Sequence, residues 1–425
     1  MKEDIKETRL DNGLVVLTDR MPGVRSATLG FFYRVGSRDE PDELNGITHF
    51  IEHCVFKGTR TRSAMEIAIE QDRLGGNLDA FTTHEETGFV IKVIDDQIEA
   101  AFDLMADMLQ HPRFDDADCQ NEQRVIIEEM KMNEDSPEDL LSDIFHREFF
   151  PGHQLGMAIT GTPDTVRTFD RERTSEFHRS AFTPQNLVIA AAGNVDHGHL
   201  LKLVNENIPS ESGSIREQRP ELPIPALAAP IFVEQRADLE QAHLIIATPL
   251  VSSRDPRRYA ADLLANALGG GTSSRLWQKI REERGLAYSV GASAAFYNDT
   301  GFFTVSAGTS PDQTEQVLDI VIDEIGKAAR EGIADGELEL MKEQTRAAIL
   351  LSLEDSAGRA GSLAQCEMVH GRQIPVEESI ANVAAVTAGD IQRLANECFQ
   401  TEKIAFVALG DLDGLTVTRE RLNIG

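Results

Sequence analysis

The stretch GITHFIEHCVFKGT, residues 46–59, places two histidines four positions apart with a glutamate directly before the second. On a helix, His49 and His53 stand one turn apart on one face. Two imidazoles so placed can both reach a tetrahedral Zn²⁺ at roughly 2.0–2.1 Å. Glu52 projects beside such a metal instead of onto it, where its carboxylate can take a proton from water. The order His-x-x-Glu-His reverses the better-known zinc-protease order. The chemistry survives the reversal because side-chain facing matters and chain direction does not. A histidine pair on a helix also serves as plain packing or surface, so a third ligand has to decide.

The stretch NEQRVIIEEMKM, residues 121–132, supplies a candidate. On a helix, Glu122, Val125, Glu129 and Met132 share one face, with Ile126 beside it. A glutamate on an otherwise apolar face is costly to bury unless something pairs with it, and zinc would do so. Glu129 is the candidate third ligand; a solvated helix charge is the alternative. Glu122, one layer back, would place its carboxylate on a histidine or on the ligand set. Glu128 points elsewhere, toward Arg124 at i, i+4.

Composition limits what else the chain can do. Its 425 residues suggest two or more domains, and 41% hydrophobic with 26% charged residues is a folded composition. Cys54, Cys119, Cys366 and Cys398 are scattered with no CxxC, so a metal must rest on histidine and carboxylate. Cys54 reads as a small buried core residue. A formal charge of −30 repels phosphate and argues against nucleic-acid binding. It reads either as a solubilising acidic shell or as a chamber that attracts basic peptides. No apolar run approaches the roughly 18–20 residues that cross a bilayer. The start, MKEDIKETRLDNGL, carries no signal-peptide pattern, so the expectation is a cytoplasmic protein.

The elements that would position these groups follow a repeat. Pro220, Pro223, Pro225 and Pro230 crowd one short segment, which reads as an extended linker. The expected division is residues 1–215, a linker over 216–230, and residues 231–425. Thr87-Gly88-Phe89 recurs as Thr300-Gly301-Phe302, 213 positions on, and neighbouring segments pair near that offset. Short runs at 27–35, 87–93, 243–248 and 301–308 predict strands; 97–110, 117–133 and 312–331 predict helices. The expected fold is α+β: a duplicated domain, each copy a mainly antiparallel sheet covered by helices. The second copy has Leu264 where the first has its histidines, so one chain offers one metal site. The glycine-rich LGGGTSS at 268–274 follows a helical stretch, not a strand, which argues against dinucleotide binding.

Taken together, HFIEH with Glu129 76 positions later, RLDNGLVV, GSRDE, LGGNLDAFTTHEET, ERTSEFHRSAFTPQNLVIAAAGNVD and SSRLWQKIREERGLAYSV form an ordered set. The set resembles the insulinase or pitrilysin family of zinc peptidases, and its short mitochondrial-processing-peptidase-like branch in particular. The resemblance implies an endopeptidase in which His49, His53 and Glu129 hold one zinc per chain and Glu52 is the base. It also implies that Glu122 supports the ligands. REERGLAY resembles the family's arginine–tyrosine pair, which implies that Arg281 and Tyr288 contact the peptide and stabilise the oxyanion. LDAFTTHEET resembles the strand on which the family pairs substrate backbone, which would fall on Asp79, Ala80, Phe81 and Thr82. The family often has Asn where this chain has Asp79; a carboxylate there would favour a basic group or an N-terminus.

The resemblance further implies that the chain forms half of a clamshell and that a homodimer completes each chamber, with unfolded or presequence-like peptides as substrate. The rival expectation is a non-catalytic subunit that holds substrate for a sister protein.

Overall fold

The computed structural model describes residues 3–76, 78–209 and 224–425. Its described residues form one six-stranded and one five-stranded sheet built on one plan. The first sheet comprises β1 (Ile5–Arg9), β2 (Val15–Arg20), β3 (Ser26–Tyr33), β4 (Leu78–Thr82), β5 (Thr87–Ile94) and β6 (Leu187–Gly193). The second comprises β7 (Ile231–Gln235), β8 (Ala242–Leu250), β9 (Ala287–Phe296), β10 (Gly301–Thr309) and β11 (Ala405–Gly410). Their orders are β1-β2-β6-β3-β5-β4 and β7-β11-β8-β10-β9. With β1 set aside as an added edge hairpin, the orders superpose strand for strand. The pairs β2–β6 and β7–β11 are parallel, and every other pair is antiparallel. The expected duplication of a mainly antiparallel α+β domain is therefore the architecture of the chain.

The central strands explain the apolar runs of the sequence. Every residue of β6, LVIAAAG, is buried, and β3, SATLGFFY, is buried from Ala27 onward. A strand buried on both faces needs apolar residues at successive positions, not at alternating ones. The helices Ile98–Gln110 and Thr314–Glu331 occupy equivalent places after β5 and β10.

The compact units are not the two contiguous stretches expected from the proline-rich segment. The first comprises residues 1–132, 157–223 and 350–375; the second comprises 133–156, 224–349 and 376–425. The helix Ser356–His370 lies on the first sheet, where Leu363 and Ala364 join Val15, Leu17, Phe32, Val188 and Ala190 in one apolar cluster. Its Glu367 is buried and takes a two-pronged bond from Arg9, at 2.8 and 2.7 Å, and another from Arg34 at 2.9 Å. Buried Arg359 pairs with buried Asp19 through one nitrogen and donates another to the Leu353 carbonyl at 2.6 Å. The equivalent helix Pro137–Phe149 lies on the second sheet through Leu141, Ile144, Phe145 and Phe149, packed with Ala247, Val407 and Leu409. The physical reason for the exchange is coverage. Each sheet has an apolar second face, and the helix that covers it comes from the other half of the sequence. Residues 216–223 of the expected linker lie outside the described residues. Residues 224–230 form no regular element.

Candidate active site

The helix Ile47–Cys54 carries the histidine motif inside the first unit. Gly46 begins it with φ 94°, in the left-handed region open to glycine. A Cβ there would lie 2.6 Å from the Thr160 carbonyl oxygen, so the chain passes too close for any side chain. No side chain of the usual capping position serves this helix. Instead Glu40 accepts bonds from the Gly46 N–H at 2.7 Å and the Thr48 N–H at 2.8 Å. These satisfy amides that a helix start leaves without partners. Burial pushes the Glu40 carboxyl up to about 7, although these amides and the Thr48 and Asn45 side chains favour its charge.

His49 and His53 leave this helix toward Glu129, which lies on the helix Asp116–Asp135. One donor atom from each of the three lies within 4.8 Å of the others. His49 Nε2 is 3.7 Å from Glu129 Oε1, and His53 Nε2 is 3.6 Å from Glu129 Oε2. Tetrahedral bonds of about 2.0–2.1 Å set donors roughly 3.4 Å apart, so the spacing fits a zinc ion with little adjustment. Burial, and then the charge of His53, pull His49 down to about 3, which makes it the neutral imidazole that a metal needs.

These candidate ligands are themselves held. His53 Nδ1 is 3.3 Å from Glu122 Oε2, leaving Nε2 for the metal side. The other Glu122 oxygen receives Lys57 Nζ at 2.9 Å. Burial lowers the His53 pKa, but the Glu122 bond and the charges of Glu129 and Glu52 outweigh it and leave the pKa raised. For Glu122, burial opposes ionisation, but the bonds from His53 and Lys57 prevail and hold it below the usual carboxylate range. Glu122 on Nδ1 thus holds the His53 ring with Nε2 turned toward Glu129, as a carboxylate behind a metal-binding histidine would.

Glu52 stands beside the ligands, largely buried. Burial raises its pKa, partly offset by the Thr82 hydroxyl, which donates to Oε2 at 2.6 Å, and by the charge of His53. Thr82 ends β4, the edge strand of the first sheet, which carries all four residues Asp79, Ala80, Phe81 and Thr82. Alternation along the strand puts Ala80 and Thr82 on one face and Asp79 and Phe81 on the other. Phe81 meets Phe32 there, 6.4 Å between ring centres, so the Asp79 carboxylate leaves the strand on the side away from Glu52.

Two readings of the Glu129 helix need correction. Its buried residues are Cys119, Glu122, Ile126 and Met130, whereas Val125 and Met132 are 48% and 72% exposed. Its packed face is therefore centred on Ile126, and Glu129 lies at the edge of that face, where the histidines reach it. Glu128 bonds Lys131 at 2.6 Å and not Arg124, which turns to Asn121. The three-residue spacing satisfied both charges locally. Cys54 is buried, as its size suggested.

Arg281 and Tyr288 lie in the second unit. Arg281 belongs to a π-helical turn, Trp277–Glu282, and Tyr288 to the edge strand β9. The guanidinium lies 4.1 Å from the Trp277 ring centre and 5.0 Å from that of Tyr288. Tyr288 is 79% exposed, a free phenol on a strand edge. A cavity of about 580 Å³ beside them is lined also by Glu138, His243 and Ser306. Leu264 is buried in the helix Arg258–Gly269, so the second copy has apolar core where the first has its ligands.

Sequence reasoning did not find the roles of Glu40, Lys57 and Trp277. Lys57 had a signal, since it follows His53 at i, i+4. Glu40 had none, because its contact depends on a loop folding back onto a helix start. No helix among the described residues is long and apolar enough to cross a membrane.

Known proteins place this geometry in context. The sequence profile described as "Insulinase (Peptidase family M16)" matches residues 15–163, and that of the "Peptidase M16 inactive domain" matches residues 168–345. The chain is 38% identical to a protein of Streptomyces coelicolor described as an uncharacterized zinc protease, over 92% of this chain and 87% of that one. It is 34% identical to one of Bacillus subtilis with the same description, over 95% and 98%. The fold matches the crystal structure of a protease from Helicobacter pylori with a TM-score of 0.88 at 21% identity, covering 96% of this chain and 99% of that one. Profiles over both halves and relatives of nearly equal length lead to one conclusion: the chain belongs to the insulinase family of peptidases, M16.

Proposed function

We propose that this chain is a zinc-dependent endopeptidase holding one Zn²⁺ on His49, His53 and Glu129, with Glu52 as general base. The observation that carries the reading is the convergence of those three donors within 4.8 Å beside the Glu52 carboxylate. When bound, zinc would supply Lewis acidity toward water and the scissile carbonyl. Glu52 accepts the water proton on its carboxylate and returns it to the leaving amine. Its burial brings its basicity toward neutral pH, and Thr82 fixes its direction. The exposed backbone of β4 offers a peptide an edge on which to pair, through Asp79, Ala80, Phe81 and Thr82, which favours extended, unfolded or presequence-like substrates. Arg281 and Tyr288 contact the peptide as a fixed cation and a phenolic donor. The enzyme works as a cytoplasmic homodimer.

Metal analysis and peptide hydrolysis of the purified protein, beside Glu52→Gln, test this. The expected result is about one zinc per chain in both, with hydrolysis in the wild type alone. Zinc without hydrolysis across a broad peptide library would replace this reading with a non-catalytic, substrate-holding subunit. An absence of zinc would overturn the ligand assignment. The expected loss in the variant is on the order of 10²–10⁴-fold in kcat, the share a positioned general base supplies.

A further inference from the structure

The first unit contains a second cavity, of about 750 Å³, whose charge runs against that of the whole chain. The protein has 71 acidic residues against 41 basic ones. Yet this cavity is lined by Arg60, Arg113, Arg171 and Arg179, and no aspartate or glutamate among the described residues lines it. Among the described residues, the side chains of Arg60, Arg171 and Arg179 make no ion pair or hydrogen bond. Arg113 is the exception, 3.3 Å from Asp115. Three exposed arginines with no ion pair among the described residues thus gather around one cavity of a strongly acidic chain.

The floor of the cavity is apolar and well held. Leu109, Phe114, Phe182, Leu187 and Ile208 line it, all of them buried. His178 lies stacked on Phe182, 5.2 Å between ring centres, and bonds the Leu109 carbonyl at 2.9 Å. Phe114 has φ 49°, the one left-handed non-glycine residue among the described residues. A bulky side chain held in that region stores strain, and such residues cluster where a binding surface is shaped. None of these residues belongs to the group around His49.

We propose that this cavity binds a small organic anion that carries phosphate or carboxylate groups on an apolar body. Guanidinium forks match both kinds of group in a two-pronged geometry. The volume is that of a small-molecule site. The aromatic floor takes the body while the arginines at the rim take the charges.

Phenyl phosphate and isophthalate separate the two sources of negative charge, and neither wraps a metal ion as a chelator does. Each is titrated calorimetrically into the full-length protein at fixed ionic strength, with chloride as the control anion. Saturable binding of at least one is expected, weakened tenfold or more in Arg60→Ala/Arg179→Ala. It should be partly retained in Arg60→Lys/Arg179→Lys, which keeps the charge and serves if the alanine variant fails to fold. Arg173→Ala, on the helix Arg171–Ala181 with Arg179 but outside the cavity lining, should bind as the wild type does. The proposal is overturned if neither probe binds at millimolar concentration. It is also overturned if the double variants bind unchanged, or if Arg173→Ala weakens binding as much as they do. Because the readout is binding alone, the result is independent of whether the chain is a peptidase.

Discussion

The Thr82 hydroxyl donates a 2.6 Å hydrogen bond to Glu52 Oε2, joining the last residue of an edge strand to the carboxylate beside the metal position. Strand and carboxylate are therefore one assembly: under the proposed function, a peptide paired on β4 would lie against the strand that orients Glu52. The bond also favours the ionised form of a carboxylate that burial makes harder to ionise.

Thr82→Val should remove that bond with little change of shape. The Glu52 pKa, already raised, would rise further, so the acid limb of the kcat/KM profile should move to higher pH. At pH 8 the loss should be about 10–150-fold, given roughly 1.5–3 kcal/mol for a hydrogen bond to a charged group. A pH–rate profile checks this. An unmoved acid limb would mean that Glu52 does not set it.

Glu122→Gln keeps the size of the side chain and removes its charge. His53 would lose the carboxylate that fixes its tautomer, and Lys57 would lose its partner. Zinc affinity should fall about 10–100-fold, the usual cost of losing such a support. Competition with a graded series of chelators measures it. Glu128→Gln, on the same helix but turned to Lys131, should leave affinity unchanged.

Glu40 gives the fold a pH dependence of known sign. Its folded pKa of about 7 lies above the ordinary value of 4.5, so the folded state binds the proton more tightly. Its contribution to stability is full below pH 4.5 and is lost as pH rises through 7. The difference is on the order of 3 kcal/mol. Glu40→Gln should flatten this part of the profile, as read from denaturant unfolding of wild type and variant at pH 5 and pH 8. Equal slopes in the two proteins would place the titration elsewhere.

Trp277 is the chain's only tryptophan, and it stacks on Arg281. Trp277→Phe should keep a ring under the guanidinium and change peptide KM little. Trp277→Ala should free the side chain and raise KM severalfold, with a smaller effect on kcat. A saturating peptide should also alter the intrinsic fluorescence of the wild type. Normal kinetics in Trp277→Ala would show that the stack does not position Arg281.

How much of this was legible depended on the range of the interaction. Spacing within one helix brought out His49, His53 and Glu52, because a turn of helix fixes which side chains stand together. The repeat at 213 positions predicted two sheets of one plan, since the order of apolar strands and amphipathic helices is written along the chain. Glu129 could be proposed from sequence, yet its place at the edge of a face centred on Ile126, and not within an apolar face shared with Val125 and Met132, required the packed helix. The family resemblance supplied Arg281 and Tyr288, which no local pattern marks.

What only the tertiary structure decided were contacts between segments distant in sequence. The exchange of Pro137–Phe149 and Ser356–His370 between the units follows from which apolar faces remain uncovered, and a single segment does not record that. The Glu40 cap, the Thr82–Glu52 bond and the four arginines around one cavity join residues 6 to 119 positions apart. The sequence determined which groups were able to do chemistry; the packing of sheets and helices determined which of them meet. Side-chain type and helical period are properties of a short stretch of chain, whereas burial and pairing belong to the whole fold.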